Sequence, residues 1–462
     1  MENKKTINNG EIFVSPLAQE HGNGSREYPF SSIEEALSLV GAGSSVVLLN
    51  GTYSETVSIQ ISGELTNPIK IRAEKLGGAV VTSNWFLYDS SDIIISGIIF
   101  RDIPSQAISV IGNCERNSFY ELTFLNCGTS EKKPCTIFFG GSGAYCIVVE
   151  KCLFDNRSSK KSKNSIAIIV TEGDTEEQNR ANKNFLIREN RFLNYGTTIS
   201  LGTRDESVSN ENYSHIIESN RIEKCFEPAI KVRCNGSIIR DNLIKNCQKS
   251  AVDIICGSEQ EISSNRIENC VNSIELQKSD VTISQNCFIK NIKSDICIIE
   301  KIDNRQGAIS IINNTFVSNN NGSVSIVTPK KVPIVVTENI FSYSKDIFHK
   351  SKKIATTHFV NNIMDPKILF EDISVGNYST DKNEGAVGWA VLGEDIPIVK
   401  KELVELSLPL KNGDKVESLI KEVDGRELYS RSFFINQEDN MESDEEIEDI
   451  DNAEMTDYST WD

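Results

Sequence analysis

The chain has 462 residues, with 48 Lys and Arg against 66 Asp and Glu and a net charge of −18. Its last 25 residues, Glu438 to Asp462, carry 12 of the acids and no Lys or Arg, so the rest of the chain stands at only about −6. No apolar run is long enough for a membrane-spanning helix, and an acidic chain without a basic stripe argues against nucleic acid as a partner.

Residues 1–11 are polar and expected to be disordered. They lack the apolar stretch of a secretory signal, although a mature chain whose signal has been removed fits equally well. Residues 12–89 read as an N-terminal cap and first coils. Ser31 or Ser32 is placed to cap a short helix, Ile33 to Leu39, with Glu34 and Glu35 in its first turn. That helix is expected to cover the open end of the structure that follows, where backbone groups would otherwise stand unpaired.

From residue 90 to 365 the chain repeats with a step of about 22 residues. Cys225, Cys247 and Cys270 are 22 and 23 apart, and Cys234 and Cys256 are 22 apart. Asn220, Asn242, Asn265 and Asn286 keep the same step, each followed two residues later by Ile222, Ile244, Ile267 or Phe288. Asn190, Asn314, Asn339 and Asn362 continue the series. Between these bends lie short alternating runs such as AIKVRC from Ala229 and AVDIIC from Ala251. Alternation in short runs argues for half-buried strands, and a chain that returns to the same heading each turn must stack them in parallel. The expected architecture is a single-stranded right-handed parallel β-helix of about eleven coils with an N-terminal capping helix. Asn suits the bends, because it tolerates left-handed backbone and bonds locally. The 38-residue gap from Phe154 to Phe192 marks coils with long loops.

The 12 cysteines follow the coil period rather than a disulfide or zinc spacing, so they read as buried packing thiols. Free thiols favour a reducing compartment, inside a cell or in a virion or spore. Phe100, Phe124, Phe154, Phe192, Phe288, Phe316 and Phe341 read as core stacks. Trp85, Tyr195, Tyr213 and Trp389 read as outward aromatics suited to a sugar ring.

The runs PFSSIEEAL, VVLLNGTY, NPIKIRAEKLGGAVV and IIISGIIF, followed by SLGTR, HIIESNRIEKC and EPAIKVRC, resemble polysaccharide lyase family 6, which includes chondroitinase B and alginate lyases. The resemblance covers roughly residues 12–370 and is patchy at 100–190 and after 300. It implies a β-helix that acts on a uronic-acid polysaccharide by removing the C5 proton and expelling the 4-linked sugar. It also implies a Ca²⁺ ion, held by an Asn and two acids, that neutralises the uronate carboxylate, a Lys base and an assisting Arg. Carried over residue by residue, Asn220 and Glu227 stand at metal positions. Arg233 stands where the base is expected, with Lys231 as the alternative in a shifted register. Ile255, Cys256 and Gly257 replace the family's Arg-His-Gly, so the assisting Arg is missing. Arginine stays protonated and makes a poor base.

Alternation turns Lys231 and Arg233 outward. Asp253 and Ile255 are their counterparts one coil on, and Glu275 and Gln277 two coils on, so Lys231, Asp253 and Glu275 form a charged ladder, either a solvated structural one or a glycan-contacting cluster. Together with His215, which opens a strand of the same coil, Asp253 and Glu275 are the substrate-binding candidates. Residues 366–437 read as a segment closing the C-terminal end, and 438–462 as a disordered acidic tail. Three functions stay open: a carbohydrate-recognising β-helix with weak or lost elimination, an active uronate lyase, and a structural protein of a virion or spore.

Overall fold

The computed structural model describes residues 10–19, 21–132, 134–141, 143–157, 162–171, 182–202, 213–277, 280–299, 308–317, 324–327, 334–342, 357–360 and 362–364, with two further strands, Glu417–Val423 and Arg426–Ser432. The acidic segment 438–462, Trp389 and most of the expected C-terminal closing segment lie outside these residues. Glu417–Val423 and Arg426–Ser432 pair antiparallel.

Three parallel sheets of 14, 13 and 11 strands run along one coil. A single turn visits each of them once: Ile216–Glu218 in the first sheet, Arg221–Glu223 in the second and Ile230–Val232 in the third. The chain is therefore a right-handed parallel β-helix, the hand that parallel crossovers adopt. Three strands of the first sheet precede residue 90, and eleven fall within 90–365, as the repeat step requires. The coil runs without a break through residue 90. It starts at the strand Glu11–Val14, so Glu11 belongs to the β-helix rather than to a disordered leader. The helix is shorter than expected, Ile33–Leu37, with Ser32 as its N-cap; Ile33, Ala36 and Leu37 are buried.

The interior is built of like residues on like, one coil step of about 4.8 Å apart. Phe100, Phe124, Phe154 and Phe192 stack with centroids 5.2, 4.7 and 4.7 Å apart, and Phe288, Phe316 and Phe341 at 4.9 and 4.6 Å. Glu223, Lys245 and Glu268 pair in register, which puts Cys225, Cys247 and Cys270 over one another in three successive coils, all buried. The twelve thiols are free. Burial raises the Cys127 thiol to about 12, so it stays protonated and inert.

The asparagine ladder connects the first sheet to the second. Asn190, Asn220, Asn242, Asn265, Asn286, Asn314 and Asn339 are fully buried. In each, the side-chain amide donates to the carbonyl oxygen of the next Asn, as in Asn220 Nδ2 to Asn242 Oδ1 at 3.0 Å, and the series runs to Asn362. The left-handed backbone belongs to the residue before each Asn: Ser219, Asp241, Ser264, Gln285, Asn313 and Glu338 all have φ between 54 and 58°. Asparagine is thus required for its side chain and not for its own backbone conformation. A second left-handed corner follows several strands of the second sheet, at Asn194, Lys224, Asn246, Asn269 and Lys290 in successive coils.

Candidate functional site

Strand alternation in the third sheet sends Ile230 and Val232 inward, both fully buried, and leaves Lys231 outward and half-buried. Register then builds the outward column. Ser200 pairs with Lys231, Lys231 with Asp253, Asp253 with Glu275, and Glu275 with Cys297. The ladder expected from the spacing is therefore present, and it lies in a crowded surface. Ser200 is 6% exposed and Asp253 7%. Lys231 and Asp253 are coil neighbours, yet the ammonium makes no hydrogen bond or ion pair among the described residues. Arg233, the residue just after the strand, donates through Nη1 to Ser200 Oγ at 3.4 Å. Glu227, at the corner before the strand, is ion-paired with Lys249 at 2.9 Å.

The acids are held from one side. Glu275 Oε2 accepts from Ser250 Oγ at 2.8 Å and from Asn272 Nδ2 at 3.4 Å, and Ser294 Oγ donates to Asn272 Oδ1 at 2.9 Å. Among the described residues, Asp253 Oδ1 receives only Gln277 Nε2, at 3.5 Å. Burial, with Glu275 as the second cause, pushes the Asp253 carboxyl up to about 6. Burial lowers the Lys231 ammonium, helped by Arg233 and opposed by Glu227 and Asp253. The site therefore holds a cation of reduced basicity beside a carboxyl that is partly protonated near neutrality. Such displaced groups gather at functional sites, although structural networks also produce them.

Two of the candidate residues, His215 and Asn220, are buried away from the outward column. His215 is 1% exposed; its Nδ1 accepts from the Phe185 N–H at 3.4 Å, and its ring packs on Phe185 and Tyr213. It lies just before the strand Ile216–Glu218 of the first sheet, on the inward side. Burial lowers its imidazole to about 3. The unfolded chain then binds a proton below about pH 6.5 that the folded chain refuses. The stability His215 gives is full above that pH and is lost on acidification toward 3. Thermal unfolding followed against pH is expected to show this loss, and the variant His215→Phe is expected to flatten it.

Asn220 is 0% exposed, and its Oδ1 already accepts from Asn190 N and Nδ2, both at 3.0 Å. Glu227 stands beyond the next corner, tied to Lys249. The Asn220 amide is thus committed to the ladder, and among the described residues no group of three or more His, Cys, Asp or Glu is placed to hold a metal. Trp85 and Tyr195 are fully buried and Tyr213 nearly so. The outward aromatics of the third sheet are instead Phe86, Tyr88 and Phe138, which alternation in the runs WFLY and CTIFFG could have revealed.

Residues 176–341 match the family model described as a right handed beta helix region. An uncharacterized protein of Bacillus subtilis, YwoF, is 28% identical over 114 residues, 22% of this chain and 24% of its own length. Pectate lyase PEL9 of Emericella nidulans is 28% identical over 128 residues, 25% of this chain and 28% of that enzyme. Among solved structures, the PL6 family alginate lyase AlyGC superimposes with a TM-score of 0.59 and 15% identity, covering 87% of this chain and 60% of that one. The chain thus matches only about a quarter of each curated relative, and at this identity the structural likeness speaks for the fold alone. The fold is a right-handed parallel β-helix like that of the PL6 family alginate lyase AlyGC.

Proposed function

We propose that this protein binds a uronic-acid polysaccharide on the outward face of the third sheet, and that its capacity for β-elimination is weak or lost. The observation that carries this reading is the pair Lys231, at the centre of the strand Ile230–Val232, and Arg233, the residue just past its end, both half-buried, with Ser200 and Asp253 beside Lys231 in register and Glu275 one coil further on. Cations partly withdrawn from water bind carboxylates more strongly than cations on an open surface. Asp253 and Glu275 supply acceptors for sugar hydroxyls. The likeness to a pectate lyase and to the fold of an alginate lyase supports the same substrate class.

Elimination asks for more than binding. A base must take a proton α to a carboxylate, and an acid must protonate the departing oxygen. Lys231, with its lowered pKa, is the group suited to the first task, since Arg233 stays charged. By continuation of the register that pairs Val232 with Ile254, the position above Arg233 one coil on is Ile255, whose side chain donates nothing. Binding without turnover follows. The test is an incubation with alginate, polygalacturonate, chondroitin and dermatan, with and without added calcium. Binding is read by calorimetry and elimination by the ultraviolet absorbance of the unsaturated product. Failure to bind any of the four polymers overturns the proposal.

Protonation of Asp253 adds a pH signature. Its folded carboxyl titrates at about 6, against an ordinary value of about 4. The folded chain therefore keeps a proton that the unfolded chain gives up between those values, and the group's contribution to stability falls as pH rises through the window. Ionised Asp253 also repels a uronate beside it. Affinity is expected to drop ~5-fold as pH rises through about 6. In Asp253→Asn it should stay flat and high; an equally steep pH profile in that variant assigns the effect elsewhere.

A further inference from the structure

The outward column that carries Lys231 continues toward the N-terminus. Register pairs Phe86 with Ser109, Ser109 with Phe138, Phe138 with Ile169 and Ile169 with Ser200. We infer that Phe86, Tyr88 and Phe138 form an aromatic platform for pyranose rings of the same polysaccharide chain that Lys231 and Arg233 hold by its carboxylates. This inference rests on the polyuronate reading and extends it.

The placement of these rings sets them apart from the core. Interior phenylalanines occupy consecutive coils and stack on one another at 4.7 to 5.2 Å. Phe86 and Phe138 are two coils apart, roughly 10 Å, with Ser109 between them, so neither fills its column by stacking on the other. Tyr88 lies beside Phe86 on the same strand, centroids 5.9 Å apart and ring planes within 8° of parallel. All three are half-buried, presenting part of their surface at the sheet face.

The backbone makes room for one of these rings. A Cβ on Gly140 would fall 2.1 Å from Phe138 Cε1 and 2.5 Å from Cζ, so the Phe138 ring leans along its strand over the bare α-carbon of Gly140. A phenylalanine that stands away from the sheet needs no such glycine. The strands Trp85–Tyr88, Ile108–Ile111 and Cys135–Gly140 contain no Lys or Arg. The patch is thus suited to the C–H face of a sugar ring, while at its edge Asp89 accepts from the Asn113 N–H at 2.8 Å and offers a polar rim to hydroxyls. From Phe138 to Lys231 is three coil steps, about 14 Å, and from Phe86 it is five, about 24 Å. One step is close to the length of one sugar residue, so a chain lying along the axis can occupy both places. Linking two contact sites through one ligand raises affinity with ligand length.

The experiment measures calorimetric affinity for graded series of alginate, polygalacturonate and uncharged β-glucan oligosaccharides. It compares the full chain with the triple variant Phe86→Leu, Tyr88→Leu, Phe138→Leu, which keeps apolar bulk but removes the rings. A second variant, Phe138→Ser alone, guards against loss of packing, with circular dichroism melting as the check on folding. Wild-type affinity for oligouronates is expected to rise with length, and the leucine variant to bind the shortest equally but the longest ~10-fold more weakly. A leucine variant that keeps the full length dependence overturns the platform while leaving polyuronate binding standing. Binding only of the glucan series, lost in the leucine variant, upholds the platform and overturns the polyuronate reading. No binding of any series overturns both.

Discussion

Asn242→Ala is expected to destabilise the chain by about 4 kcal/mol. Asn242 is fully buried in mid-ladder. Its Oδ1 accepts from the Asn220 backbone N–H and from Asn220 Nδ2, both at 3.0 Å. Its own Nδ2 donates to Ile217 O at 2.9 Å, Arg240 O at 2.8 Å and Asn265 Oδ1 at 2.9 Å. Alanine removes the acceptor of the Asn220 N–H and Nδ2 and the donor to Ile217 O, Arg240 O and Asn265 Oδ1; Asn220 Nδ2 keeps Ile187 O and Asn265 Oδ1 keeps the residue 242 N–H, and each group left without a partner costs about 1–3 kcal/mol. Part is recovered by relaxation at the corner, which leaves the central figure. A solenoid holds each coil only by its neighbours, so the damage should localise and spread outward from this rung. Denaturant unfolding gives the size. Hydrogen exchange gives the place, with loss of protection concentrated between residues 216 and 268. Asn246→Gly is the control: Asn246 is exposed and left-handed, with φ 58°, and glycine accepts that conformation freely. It is expected to change stability by less than ~0.5 kcal/mol. Equal effects of the two substitutions would falsify the ladder as the source of corner stability.

The architecture was legible because a stacked coil writes its register into the sequence. Asn220, Asn242 and Asn265 recur at the coil step since each must meet the next, and Lys231, Asp253 and Glu275 share a column because strands pair without slippage. The second sheet was harder to read as a sheet. Its strands, such as Arg221–Glu223, span three residues with a single inward side chain, Ile222, so two-residue alternation cannot show itself. Left-handed corners escaped for a related reason: Ser219, Asp241 and Gln285 share a backbone conformation but no residue type. His215 and Trp85 were misplaced because a polar or amphipathic ring suggests the surface, whereas a wide coil has interior room for both. The outward face of the third sheet follows from alternation alone. What alternation does not carry is the crowding that shifts Lys231 and Asp253, which depends on neighbours one coil away.

Lys231→Met and Arg233→Met are each expected to weaken polyuronate binding by ~10-fold, and the pair together by ~100-fold or more. Methionine retains the aliphatic stem that packs on the sheet face and removes only the charge, so a fall in affinity reports the cation and not the fold. Both losses should shrink in high salt, although less than for open surface pairs, because half-buried charges are poorly screened. Asp253→Asn moves the other way above about pH 6, by removing the one anion of the column that faces Lys231 from the next coil. Turnover separates the two roles open to Lys231. If it only binds, no variant releases unsaturated product and the three affinities account for the site. If the wild type does release product, a collapse of that rate in Lys231→Met with the rate kept in Arg233→Lys identifies Lys231 as the base. The rate then climbs with pH as the amine is freed, with a midpoint below the ordinary lysine value because desolvation has already weakened its hold on the proton.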